Sequence, residues 1–134
     1  MRARSLGQPQ SPSLLTRAEY VCLNLHDSKM SNVIILDGGM SRELTRLDAP
    51  FRQPEWSALA LMEAPNLVQQ VHSEFAAAGA QVLTSNSYAI VPFHIGQERF
   101  LDQGEQLAAD AGRLARKAAD ASGRQLVAGS LPPL

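Results

Sequence analysis

Three short stretches of this chain concentrate the residues that can do chemistry: Asp37-Gly38-Gly39-Met40, Asn86-Ser87-Tyr88 and Gly129-Ser130. Asp37 offers a carboxylate that can hold a ligand ammonium group or a metal ion, or take a proton. Gly38 and Gly39 carry no Cβ, so the backbone there can turn sharply or approach a ligand closely. Asn86 and Ser87 present short hydrogen-bonding side chains, and Tyr88 adds a ring and a hydroxyl. Each also has a structural alternative. Asp37 can cap the following turn by accepting from backbone N–H groups, and Asn86, Ser87 and Tyr88 can anchor a loop. His94 shares that loop, and an isolated histidine there reads as structural. His72 reads as packing or surface. Trp56, the one tryptophan, reads as a core or loop anchor beside the first loop.

The three stretches follow apolar runs. Val33-Ile34-Ile35-Leu36 is continuous and branched, the pattern of a strand buried on both faces. Val82-Leu83-Thr84-Ser85 and Leu126-Val127-Ala128-Gly129-Ser130 repeat the plan. Between them lie helical patterns. Ser41 is a candidate N-cap for a short helix, and Trp56–Glu63 is helix-favouring. Pro65 suits a first helical turn. Leu67, Val68, Val71, Phe75 and Ala78 then fall on one helical face, which Gly79 ends. A further helix starts at Glu98 or Gly104 and runs to about Ala121, with Leu107, Ala111, Leu114, Ala115 and Ala118 as its stripe. Strands alternating with helices imply a parallel sheet with right-handed crossovers. In such folds the ligand lies beyond the carboxyl ends of the strands, where all three polar stretches fall. The opposite turns, at Gly79-Ala80 and Gly123-Arg124, are bare.

The bulk composition excludes several classes. The chain has 134 residues and a net charge of −1. Nucleic acid and anionic membranes need a concentrated basic face, which is absent. No apolar run approaches the roughly 20 residues of a membrane span. One cysteine, Cys22, makes neither an internal disulfide nor a cysteine-rich metal site, which suits a reduced, cytoplasmic setting. Gly38-Gly39 lacks the third glycine of a dinucleotide fingerprint, and no phosphate-binding lysine follows. That counts against an α/β enzyme using Asp37 with a nucleotide. Residues 1–29 are rich in Pro, Gln and Ser and read as a disordered extension, with Met30 the natural start; a transit peptide is the rival.

The segments Leu36-Asp37-Gly38-Gly39-Met40-Ser41-Arg42-Glu43-Leu44, Trp56-Ser57-Ala58, Val71-His72-Ser73-Glu74-Phe75, Thr84-Ser85-Asn86-Ser87-Tyr88 and Val127-Ala128-Gly129-Ser130-Leu131 together resemble the homocysteine S-methyltransferase family. The likeness covers residues 30–134. It implies a zinc-dependent (β/α)8 barrel that moves a methyl group from a small donor such as S-methylmethionine to homocysteine, giving methionine. It further implies that Asp37 and the backbone of Gly38 hold the amino-acid end of homocysteine, that Gly39 and Met40 belong to the same substrate-binding set, and that Asn86, Ser87 and Tyr88 line the same pocket. The family's zinc is held by three cysteines late in the barrel, and Cys22 matches none of them.

A barrel of this kind takes about 250 residues. The expected fold is therefore α/β: the first three β/α units of a TIM barrel, incomplete in this chain and stopping before the zinc ligands. The chain alone is expected to be inactive and to self-associate through its open sheet. The alternative is a non-catalytic fragment that binds an amino acid or a partner.

Overall fold

A computed structural model describes residues 33–123 and 126–132 of the chain. The expected N-terminal extension, residues 1–29, lies outside the described residues, as does Cys22. Five helices and two strands follow in order: α1 (Met40–Arg46), α2 (Ser57–Glu63), α3 (Pro65–Ala77), β1 (Val82–Thr84), α4 (Pro92–Ile95), α5 (Gln97–Ser122) and β2 (Leu126–Ala128).

The strands pair in parallel, with Leu83 opposite Val127. The connection between them carries the expected long helix, α5, preceded by the short α4. Leu36 makes a single parallel bridge to Val82 on the other edge of β1. Asp37 N–H donates to the Val82 carbonyl (3.0 Å), and Gln81 N–H donates to that of Ile35 (2.7 Å). The extended segment Ile35–Asp37, β1 and β2 thus lie side by side. The sheet is not closed.

Val33–Leu36 departs from the expected doubly buried strand. Its four side chains are each more than half exposed, and the segment contributes one bridge rather than a strand. Its composition suits burial, but among the described residues only β1 pairs with it.

Leu83 is the centre of the sheet's packing. It is fully buried, in one core cluster with Ala76 of α3 and Ala118 and Ala119 of α5, while Val82 and Thr84 on either side are half-buried. The small residues of α5 allow this close approach. Ala111, Ala115, Ala118 and Ala119 are all buried, at the helical spacing the sequence shows. A second cluster joins Leu44 of α1 to Val68 and Val71 of α3, and a third joins Leu61 of α2 to Ile95 and Leu107.

Two ends differ from expectation. Helix α1 starts two residues early, with Gly39 rather than Ser41 as N-cap. The loop after β1 contains the one-turn helix α4. Helix α3 ends where Gly79 takes a φ of 102°, a left-handed conformation that favours glycine. His72 of α3 is fully buried, a core residue and not a surface one, while Ala78 is exposed. No helix among the described residues is long and apolar enough to cross a membrane.

Candidate functional site at the strand ends

A cavity of about 580 Å³ opens beyond the carboxyl ends of Ile35–Asp37 and β1. Asp37, Gly38, Gly39, Met40, Asn86 and Tyr88 all line it, six of the seven residues singled out from sequence. Ser87, the seventh, instead lines a neighbouring groove beside α5 and β2. Trp56, His94 and Ser130, noted in the sequence but not placed in the substrate set, also line the cavity, together with Ser41, Arg42, Ser57, Thr84, Ser85 and Ala89.

Asp37 does two things at once. Thr84 donates to it twice, from its backbone N–H to Oδ2 and from its hydroxyl to Oδ1, each at 2.7 Å. These bonds fix the carboxylate at the end of β1. A carboxylate has about four acceptor sites, so capacity remains for a donor in the cavity. Asp37 therefore does not cap the following turn, whose helix has no side-chain cap; it is anchored to β1 and still lines the cavity.

The two glycines serve different ends. A Cβ on Gly38 would sit 2.9 Å from Cε1 of Phe75, so the ring's packing requires glycine there. A Cβ on Gly39 would meet nothing closer than Arg42 Cγ at 4.0 Å, and Gly39 has an ordinary φ of −71°. Neither packing nor conformation demands glycine at position 39. What its bareness does is enlarge the cavity.

Asn86 is buried and donates from Nδ2 to the Ser57 carbonyl (2.9 Å), tying the loop after β1 to the start of α2. Ser87 donates to the Ser130 carbonyl (2.7 Å). Its one proton being so used, it accepts from Ser85 Oγ (2.9 Å), and Ser85 in turn accepts from Ser130 N–H (3.1 Å). This chain of bonds locks the ends of β1 and β2 together. Tyr88 is half-exposed on the cavity wall.

His94 and Trp56 come together on the cavity rim, their ring centroids 6.1 Å apart. His94 Nδ1 lies 2.7 Å from the Pro54 carbonyl. Their 38-residue separation gave no sequence signal of this contact; only their placement beside loops did. Behind the site, His72 has neither ring nitrogen hydrogen-bonded among the described residues. Burial pushes its imidazole below the usual histidine value, and the negative charge of Asp37 partly opposes that shift.

A family model described as homocysteine S-methyltransferase matches residues 34–134. The chain belongs to the homocysteine S-methyltransferase family. Among curated members, homocysteine S-methyltransferase 1 of Zea mays is 37% identical over 87 residues, covering 64% of this chain and 27% of the relative. Homocysteine S-methyltransferase of Escherichia coli (strain K12) is 36% identical over 111 residues, covering 76% of this chain and 36% of the relative. Of solved structures, the metallated form of the homocysteine methyltransferase MmuM from Escherichia coli superposes with a TM-score of 0.66 at 31% identity. That match covers 83% of this chain and 40% of MmuM. The chain thus spans roughly a third of the length of these family members.

That MmuM structure is described as the metallated form. Among the described residues no three His, Cys, Asp or Glu side chains are grouped to hold a metal ion. The described residues do not fit a zinc site.

Proposed function

We propose that the cavity beyond β1 binds the amino-acid end of homocysteine. The observation that carries this reading is the convergence of Asp37, Gly39, Asn86 and Tyr88 on one cavity within the span that matches the family. Asp37, held by Thr84, pairs its remaining acceptor capacity with the substrate ammonium group. The bare backbone at Gly39 lets the ligand approach closely, and Tyr88 supplies a wall. Ser87 acts behind the site, holding β2 to β1 rather than touching substrate.

The parallel order Ile35–Asp37, β1, β2 supports reading residues 30–134 as the first three units of a (β/α)8 barrel. In the methyl transfer for which the family is named, a bond forms between the homocysteine sulfur and the methyl carbon while the donor's bond to that carbon breaks. The thiol proton must leave, since the thiolate is the nucleophile. A small sulfonium such as S-methylmethionine suits the donor. The described residues bind and orient; they offer no group set to stabilise the thiolate. On this reading the described residues form an amino-acid-binding unit.

Calorimetric titration of the chain with L-homocysteine tests this. Saturable binding is expected, weakened tenfold or more in Asp37→Asn, which keeps an acceptor for Thr84 but removes the charge. Absence of binding by the wild-type chain overturns the reading.

A further inference from the structure

We infer that His94 is a positioning residue: its bond to the Pro54 carbonyl holds the loop at 51–56 so that the Trp56 indole forms one wall of the cavity. A carbonyl oxygen only accepts, so the hydrogen in this 2.7 Å contact belongs to Nδ1. Nδ1 carries a proton in both the Nδ1–H neutral ring and the charged ring, so the contact fixes the neutral tautomer.

The loop needs such a hold. Trp56 has φ 50° and ψ −132°, a conformation that side chains with a Cβ rarely adopt. It persists only where the surroundings over-determine it. The loop's other hydrogen bonds among the described residues are local. Trp56 N–H donates to the Arg52 carbonyl (2.7 Å), Arg52 pairs with Glu55 (3.3 Å), and Ala58 N–H reaches back to the Glu55 carbonyl (3.1 Å). The Phe51–Trp56 ring contact is local too. His94 reaches the loop from 40 residues away, touching both Pro54 and the Trp56 ring. It stands on a firm base: its neighbour Ile95 is buried against Leu61 and Leu107, and Phe93 meets the imidazole edge-on at 5.0 Å. Without the pin, the indole is free to leave and the cavity loses that wall.

The test has two arms, and only the ligand arm rests on the proposed function. Trp56 is the one tryptophan of the chain, so tryptophan emission reports this loop alone. His94→Asn keeps a donor near Nδ1 but removes the ring; His94→Phe keeps a ring but removes the donor. In the ligand-free full chain, His94→Phe is expected to show faster local tumbling of the indole by anisotropy decay, and His94→Asn to match wild type. Equal mobility in wild type and His94→Phe, or His94→Asn as mobile as His94→Phe, overturns the proposal. Far-UV circular dichroism checks that each variant folds. A second readout needs no variant: the imidazole nitrogen shifts of 15N-labelled wild type at neutral pH are expected to show the Nδ1–H tautomer for His94, and the Nε2–H tautomer overturns the proposal.

In the ligand arm, His94→Phe is expected to weaken L-homocysteine binding about tenfold and His94→Asn to restore it to within about threefold. Unchanged affinity in His94→Phe overturns the positioning role. If wild type binds no homocysteine, the proposed function fails, while the mobility and tautomer results still decide the pin.

Discussion

The adjacent glycines separate what the backbone needs from what a ligand needs. Gly38→Ala forces a methyl group against the Phe75 ring, and thermal melts should register a loss of about 1–3 kcal/mol. Gly39→Ala adds its methyl group to open cavity. Its melting temperature should equal that of wild type while homocysteine affinity falls tenfold or more; unchanged affinity would place the ligand elsewhere. His72 yields a prediction in pH. Its imidazole is held below the ordinary value in the fold, so the unfolded chain takes up a proton first as pH falls below about 6.5. The contribution of His72 is therefore fully present above that pH and is lost as pH drops toward the lower, folded value. Urea midpoints at pH 7.5 and 5.5 should show a decline that His72→Leu reduces. The placement of Asp37, Gly39, Asn86 and Tyr88 at one cavity was legible in the sequence because each follows the carboxyl end of an apolar run. His94 was not, since its meaning depends on a carbonyl 40 residues away.

Elements were legible where a periodic pattern and a firm stop coincide. The alanine stripe of α5 and the left-handed glycine after α3 mark their helices from sequence alone. Val33–Leu36 shows the opposite case. Four apolar residues report the burial a segment suits, not which neighbours supply it, so the expected strand is present as one bridge with exposed side chains. The energetic weight of the sheet falls on Leu83, the one strand residue fully enclosed by α3 and α5. Leu83→Ala should cost about 2–5 kcal/mol in chemical denaturation. Ser87→Ala should cost less, loosening the tie between β1 and β2 without reaching the cavity, and homocysteine affinity should hardly change.

At the scale of the molecule, the outer edge of β2 has no strand partner among the described residues. Leu101, Leu126 and Leu131 lie exposed on the same chain, at 74%, 64% and 86%. An open parallel edge beside apolar surface is a template for pairing. Sedimentation velocity should therefore show mass rising with concentration, and a strict monomer across the accessible range would contradict this. The central claim concerns the cavity, and amide chemical-shift mapping with L-homocysteine tests it most directly. Shifts concentrated at Gly38, Gly39, Asn86 and Tyr88 are the predicted result. Shifts confined to the groove between α5 and β2, or none at millimolar ligand, would contradict it.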